Sequence, residues 1–189
     1  MKLIILDRDG VINQDSDQYV RSVDEWIAIP GSIQAIADLS NAGYTIAIAT
    51  NQSGIARGYY SLDTLEAMHQ KMQQLVKDAG GLVDHIAFCP HVDVDECRCR
   101  KPLPGMLSDL LQTTAALPSN TWMVGDSLRD LQAAWALDID TVLVKTGKGD
   151  KTLLNPALKP DTLVFRDLAH FSQHLLKDAP AINPHTGNN

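Results

Sequence analysis

The feature that most constrains this chain is a short apolar run, Leu3–Leu6, that ends directly at two acids. An uninterrupted apolar run of this length is typical of a strand buried in a parallel sheet. Asp7 and Asp9 follow it, and Gly10 gives the backbone freedom for a tight turn. Ligands of open parallel sheets bind beyond the carboxyl ends of the strands. The sequence therefore predicts a parallel sheet with two carboxylates at its ligand-binding edge, although solvated loop acids are the simpler alternative for such a pair.

The rest of the chain alternates between helical and strand patterns. Helical spacing covers 31–42, 61–79, 105–117 and 131–137, and apolar strands cover 44–49, 85–88, 121–124 and 141–144, followed by an edge strand at 161–165 and a helix through Leu176. This alternation favours a doubly wound, Rossmann-like α/β fold, with a parallel sheet and helices on both faces. We expect one domain over 1–178, a flap at 11–30, no large cap domain and a disordered tail at 179–189.

The net charge of −7 and the lack of a long apolar run limit the partners of this chain. Nucleic-acid binding relies on clustered Lys and Arg, which are not found in this acidic sequence. No apolar run reaches the roughly 18 residues of a membrane span, and the amino terminus enters a strand without a signal-peptide pattern. We therefore expect a cytoplasmic monomer that binds neither nucleic acid nor membrane.

The second and fourth predicted strands also end in polar residues. The second is followed by hydroxyl and amide side chains and by free backbone donors, which suit the peripheral oxygens of a phosphoryl group, although plain turn chemistry is the alternative. These residues are Thr50, Asn51, Gln52 and Ser53. The fourth strand ends at Asp126, a candidate metal ligand. Asp130 is expected to support the site, or else to begin a helix that Ser127 caps.

Three cysteines and a histidine fall within eleven residues, namely Cys89, His91, Cys97 and Cys99. This set provides the four thiolate and imidazole ligands of a closed structural zinc site. Three acids in the same segment, Asp93, Asp95 and Glu96, make it too polar for the alternative of three buried free cysteines. The sequence therefore predicts a zinc loop at 89–99. Arg100 and Lys101 follow directly, and we expect Lys101 to face the phosphate and Asp7 rather than solvent.

Several of these segments resemble the haloacid dehalogenase superfamily of aspartate-dependent phosphohydrolases. The segments that resemble the superfamily motifs are DRDGV, TNQSG, RKP and GDS with Asp130. CPH and CRC, together with RKP, resemble a zinc-bearing branch that includes heptose bisphosphate and histidinol-phosphate phosphatases. The resemblance implies that Asp7 forms an aspartyl phosphate, that Asp9 acts as general acid and base, and that Thr50, Asn51 and Lys101 hold the transferring oxygens. Further substrate-binding candidates are Gln52, Ser53, Arg57 and Arg100. A role in carbohydrate metabolism and lipopolysaccharide biosynthesis is also implied.

A divalent cation is required by the number of acids expected around a phosphate. Each like-charge pair near 4 Å costs about 4 kcal/mol at an effective dielectric constant of 20, and one lysine cannot offset several such pairs. Oxygen ligands with room for water and phosphate indicate Mg²⁺. We expect Asp7 and Asp126 to bind it, and the resemblance adds the backbone carbonyl of Asp9.

The substrate is expected to be a small phosphorylated sugar. NQSGIARGYYS and VLVKTGKG look like the corresponding segments of heptose bisphosphate 7-phosphatases, and a second phosphate would call for extra cations. Candidates are Arg57, Arg100, Lys145 and Lys148. Histidinol phosphate remains an alternative, since its amine would suit the flap acids Asp15, Asp17 and Glu25. A non-catalytic, zinc-stabilised binding module is the alternative from another class, but it predicts degenerate acids.

Overall fold

A six-stranded parallel sheet forms the centre of the computed structural model, which describes residues 1–177. The strands are β1 (Leu3–Leu6), β2 (Thr45–Asn51), β3 (His85–Cys89), β4 (Thr121–Gly125), β5 (Asp140–Val144) and β6 (Leu163–Phe165), in the spatial order β3-β2-β1-β4-β5-β6. The chain thus winds outwards from β1 in one direction and then returns to start again beside it at β4. The doubly wound fold predicted from the sequence is confirmed.

Residues 1–177 contain six α-helices, of which five connect successive strands and the last follows β6. They are α1 (Ser32–Asn41), α2 (Leu62–Asp78), α3 (Gly105–Thr114), α4 (Leu128–Trp135), α5 (Gly149–Leu153) and α6 (Leu168–Lys177). In the part of the chain that the structure describes, none is both long and apolar enough to cross a membrane. The predicted tail at 179–189 lies outside the described residues.

Two helix boundaries and one short helix differ from the sequence patterns. The third helix ends at Thr114 rather than at residue 117, because Ala115 adopts a left-handed φ of 52°. The fourth begins at Leu128, three residues before the apolar pattern becomes visible, since its first turn faces the site and is polar. The short helix α5 was not predicted; it is a single turn within the polar segment after β5.

The two faces of the sheet bury separate hydrophobic clusters. Ile4 and Leu6 pack into the cluster that also holds α1, α2 and α6, whereas Leu3 and Ile5 pack against α3 and α4. This alternation follows from the two-residue period of a strand, and it explains why every residue of β1 is buried. The sheet is therefore covered on both faces, and the strand ends remain as the place for polar chemistry.

Candidate active site

Two acids meet where β1 and β4 lie side by side. Leu6 pairs with Val124 across the two parallel strands, and the N–H of Asp7 donates to the Val124 carbonyl at 2.9 Å. Asp7 and Asp126 are therefore the first residues beyond adjacent strand ends. One carboxylate oxygen from each lies within 4.8 Å of the other and of one oxygen of Asp130. The sequence had placed these acids at the same edge of the sheet, and the structure brings them together.

Lys101 provides the buried positive charge of this cluster. Its Nζ lies 3.0 Å from Asp7 Oδ1 and 2.7 Å from Asp130 Oδ1, and it donates to the Ala49 carbonyl at 2.7 Å. Asp130 is 0% exposed, and its other oxygen accepts hydrogen bonds from the N–H and the hydroxyl of Ser127. The two readings of Asp130 are thus compatible, because it belongs to the first turn of α4 and also pairs with Lys101.

Asn51 was expected to bind the transferring phosphate, but its side chain makes other contacts. Its Nδ2 donates to the Lys101 carbonyl at 2.9 Å, and its Oδ1 accepts from the Lys101 N–H at 3.1 Å. Both polar atoms of this amide therefore hold the backbone of the lysine. Asn51 lines the cavity, but its geometry is that of a residue that positions Lys101 rather than one that binds a ligand.

Asp9 is held as a carboxylate by its neighbours. Arg8 Nη2 donates to both of its oxygens at 3.0 and 3.1 Å, and the amides of Asn13 and Gln52 donate at 2.8 and 2.9 Å. Burial alone would raise the pKa of Asp9, but the Arg8 charge and these hydrogen bonds lower it below its usual range. Sequence reasoning had not singled out Arg8 or Asn13, although Arg8 stands between the two acids of the DRDGV segment.

Gln52 connects Asp9 with two hydroxyl groups. Its Nε2 also donates to Thr50 Oγ1 at 2.8 Å, and its Oε1 accepts from the Tyr60 hydroxyl at 2.5 Å. Burial raises the pKa of Tyr60 to about 12, so this hydroxyl keeps its proton and donates. Gln52 was expected to bind substrate directly, but all its polar atoms are used within the protein.

The cluster of acids raises the pKa values of two of its members. Burial and the nearby charge of Asp130 raise the pKa of Asp7 to about 6, and burial together with the charges of Asp130 and Asp7 raises the pKa of Asp126 to about 8. For Asp130, burial is outweighed by Lys101 and Arg129, so its pKa is lowered. The protein thus supplies cations for Asp130 but leaves Asp7 and Asp126 short of positive charge.

The surroundings of Asp7 and Asp126 suit an oxygen-bound cation. Asp7 Oδ1 accepts from the Arg8 N–H at 2.7 Å, and Asp126 Oδ2 accepts from the Lys148 N–H at 2.7 Å. Within residues 1–177, the second oxygen of each carboxylate accepts no hydrogen bond from the protein. A Cβ at Gly10 would lie 2.1 Å from Asp126 Oδ2, so only glycine leaves room for this carboxylate. These residues fit a hard cation such as Mg²⁺.

The predicted zinc ligands lie together beside β3. Cys89 Sγ is 3.7 Å from Cys97 Sγ, 3.2 Å from Cys99 Sγ and 3.5 Å from His91 Nδ1. A tetrahedral zinc with Zn–S bonds of about 2.3 Å requires its ligands to be separated by about 3.8 Å. The three distances from Cys89 Sγ are close to this separation, and all four atoms lie within 4.8 Å of one another. No ligand position is left open for chemistry if all four bind one ion.

A polar cavity of about 180 Å³ opens onto these acids. Ser53, Arg57 and Arg100 line it as predicted, whereas Lys145 is not among its lining residues and pairs with Asp150 at 3.4 Å. The flap contributes Asp15, which pairs with Lys148 at 3.0 Å across the opening. Arg129, on the first turn of α4, also lines the cavity and was missed, since a single arginine in a helix pattern gives no distinctive signal.

Comparisons with known proteins agree with this geometry. A family described as polynucleotide kinase 3 phosphatase matches residues 2–129, and one described as HAD-hydrolase-like matches residues 98–171. A Pseudomonas aeruginosa protein is 57% identical over 93% of this chain and 98% of its own. The chain belongs to the haloacid dehalogenase (HAD) superfamily of hydrolases. As a HAD phosphatase, it has two acids, Asp7 and Asp126, at adjacent strand ends.

The similar HAD proteins share a described activity. The P. aeruginosa protein is named D-glycero-beta-D-manno-heptose-1,7-bisphosphate 7-phosphatase. A protein from Neisseria meningitidis serogroup A, 55% identical over 96% of this chain and 98% of its own, has the same name. A crystal structure of D,D-heptose 1,7-bisphosphate phosphatase from Bordetella bronchiseptica, complexed with magnesium and phosphate, matches with a TM-score of 0.92 and 53% identity. The match covers 95% of this chain and 100% of the B. bronchiseptica chain. The HAD resemblance recognised in the sequence is confirmed.

Proposed function

We propose that this protein is a Mg²⁺-dependent phosphatase that removes the 7-phosphate of D-glycero-β-D-manno-heptose 1,7-bisphosphate. The observation that carries the proposal is the cluster of Asp7, Asp126 and Lys101 at the carboxyl ends of β1 and β4. The names of relatives more than 50% identical over nearly the whole chain support the substrate.

Asp7 would act as the nucleophile. Its carboxylate attacks phosphorus in line, the bond to the sugar oxygen breaks, and an aspartyl phosphate forms. Lys101, 3.0 Å from Asp7, and the hydroxyl of Thr50 stand where they can stabilise the transferring oxygens. Asn51 keeps Lys101 in place through the two hydrogen bonds to its backbone.

Asp9 would protonate the leaving alkoxide and then accept a proton from the water that cleaves the aspartyl phosphate. It is held as a carboxylate by Arg8, Asn13 and Gln52, so it must gain a proton and give up part of this network first. A phosphate dianion beside Asp9 raises its pKa and competes for the guanidinium of Arg8. Substrate binding therefore favours the protonated form that the first step needs.

Asp7 and Asp126 would hold Mg²⁺, with the backbone carbonyl of Asp9 as a further ligand. When bound, this ion neutralises charge on the acids and on the phosphate. The four-residue cluster on the zinc loop would hold a structural Zn²⁺, which orders the segment that leads into Lys101.

The distribution of charge around the cavity favours a second phosphate over an amine. Arg57, Arg100 and Lys148 line the cavity. Two flap acids, Asp15 and Asp17, line it as well, and Asp15 is already paired with Lys148. Glu25 does not line this cavity and accepts a hydrogen bond from the Arg21 N–H. A bisphosphate therefore fits these surroundings better than histidinol phosphate does.

The test is release of inorganic phosphate from the heptose bisphosphate, with Mg²⁺ or with a chelator. We expect Mg²⁺-dependent turnover that leaves the 1-phosphate on the sugar, as followed by phosphorus NMR, and slower turnover of histidinol phosphate. Asp7→Asn should lower kcat by about 10³-fold or more. Asp140→Asn, at the exposed amino end of β5, is the matched control and should retain activity. Normal turnover by folded Asp7→Asn, or preference for histidinol phosphate, would refute the proposal.

A further inference from the structure

His69 is a buried titratable residue that the proposed mechanism does not use. It lies on α2 and is 7% exposed. The other buried residues of this helix form an apolar stripe at helical spacing, namely Leu65, Met68, Met72 and Val76. An imidazole in such a stripe is costly to bury unless a ring nitrogen finds a hydrogen-bond partner. His69 therefore requires a polar group opposite the helix.

The partner of His69 is Arg8, the residue between Asp7 and Asp9. Arg8 is 1% exposed, and its Nη1 lies 3.4 Å from His69 Nε2. A guanidinium has only N–H donors, so His69 Nε2 must accept this hydrogen bond. The imidazole is then neutral and carries its proton on Nδ1. Burial and the charge of Arg8 favour this state, because they lower the pKa of His69 to about 4.

Two residues hold the guanidinium of Arg8 in place. Its Nη2 donates to both oxygens of Asp9 at 3.0 and 3.1 Å, whereas its Nε is buried without an acceptor. Among residues 1–177, Asp9 and His69 supply all the hydrogen-bond acceptors of this side chain. His69 is therefore the acceptor that remains whenever the contact with Asp9 weakens.

The role of Asp9 in proton transfer makes this second contact important. In the proposed reaction Asp9 gains a proton, gives it to the leaving sugar oxygen and later accepts another from water. Each protonation weakens its pairing with Arg8, since a neutral carboxyl group attracts a guanidinium less than a carboxylate does. Without a second acceptor the guanidinium would then have no fixed position. The hydrogen bond to His69 keeps it beside Asp9 through both steps.

We propose that His69 is a positioning residue, whose imidazole holds the Arg8 guanidinium against Asp9 and so keeps the Asp9 carboxyl group aligned with the leaving oxygen. This inference rests on the proposed function. The contacts run from α2 through Arg8 to Asp9, just beyond β1. Arg8 and Asp9 line the cavity, whereas His69 does not. His69 therefore acts through Arg8 and not on the substrate.

The experiment compares two substrates that differ in their need for an acid. The sugar oxygen of heptose 1,7-bisphosphate leaves as a basic alkoxide that needs a proton, whereas the nitrophenolate of p-nitrophenyl phosphate leaves without one. His69→Leu removes the acceptor for Arg8. It should lower kcat/KM for the bisphosphate by about 10- to 100-fold and for p-nitrophenyl phosphate by less than about 3-fold.

Two further variants separate the hydrogen bond from packing. His69→Gln should recover most of the loss on the bisphosphate, because its amide oxygen can accept from Arg8 in place of Nε2. Met72→Leu, about one turn further along the same buried stripe, is the matched control and should leave both values unchanged. Crystal structures add a measurement that needs no turnover. Arg8 should leave its contact with both Asp9 oxygens in His69→Leu and keep it in His69→Gln.

The outcomes separate this inference from the proposed function. Equal losses on both substrates, no loss on either, or an unchanged contact between Arg8 and Asp9 in His69→Leu would each overturn the inference. Turnover of p-nitrophenyl phosphate by His69→Leu also shows that the variant is folded. Failure of the wild type to hydrolyse the bisphosphate would instead reject the proposed function itself.

Discussion

Lys101 is the residue on which the charge balance of the site depends. It is completely buried between Asp7 and Asp130, and these two contacts raise its pKa against the opposing effect of burial. The position of Lys101 directly after the zinc loop predicted that its side chain faces Asp7 rather than solvent. The sequence did not predict that the side-chain amides of Asn51 and Gln52 make their hydrogen bonds to other protein groups. Spacing along a chain does not specify which hydrogen bonds a side chain makes.

Replacing Lys101 by methionine should destabilise the metal-free protein. The change leaves Asp7 and Asp130 buried without their shared cation, which typically costs about 3–5 kcal/mol. Urea unfolding at pH 7 in the presence of a magnesium chelator measures the loss. Lys151→Met, on the exposed face of α5, is the control and should change the free energy of unfolding by less than about 0.5 kcal/mol. Equal stability of Lys101→Met and wild type would contradict the assigned charge balance.

At the scale of elements, the hydrophobic pattern of the sequence was sufficient to predict the sheet. It predicted the segments beside the site less well. Apolar runs predicted all six strands, and burial on both faces imposes this pattern on the central strands β1, β2 and β4. The start of α4 and the single turn of α5 escaped prediction, since their polar residues serve the cavity instead of the core. Deviations from simple patterning thus concentrate at the functional edge of the sheet.

The zinc loop is the element whose order should depend on metal. The segment from Val92 to Glu96 contributes no buried residue, so little besides its ligands can hold it in place. Cys99→Ser should abolish stoichiometric zinc binding and lower kcat, because Lys101 follows two residues later. Zinc content by atomic absorption and phosphate release are the measurements. Re-added zinc should restore chelator-treated wild type but not the variant; full activity in zinc-free protein would show that the loop needs no metal.

At the scale of the whole molecule, the acidic cluster connects proton binding, metal binding and stability. The raised pKa values of Asp7, about 6, and Asp126, about 8, mean that the folded protein binds protons at pH values where the unfolded chain has released them. These two groups therefore make the metal-free protein less stable as pH rises from about 4 to about 8. The same deprotonation prepares the two carboxylates for a cation.

Mg²⁺ should consequently stabilise the protein more at pH 8 than at pH 5. At the lower pH protons compete for Asp7 and Asp126, whereas at the higher pH the cation relieves the repulsion between two carboxylates. The measurement is the increase in Tm that roughly millimolar Mg²⁺ causes at each pH. Asp126→Asn should lose most of the increase at pH 8, while the Asp140→Asn control should keep it. A magnesium-induced shift of the same size at both pH values would mean that these carboxylates do not share the ion, because proton competition at a shared site cannot be independent of pH.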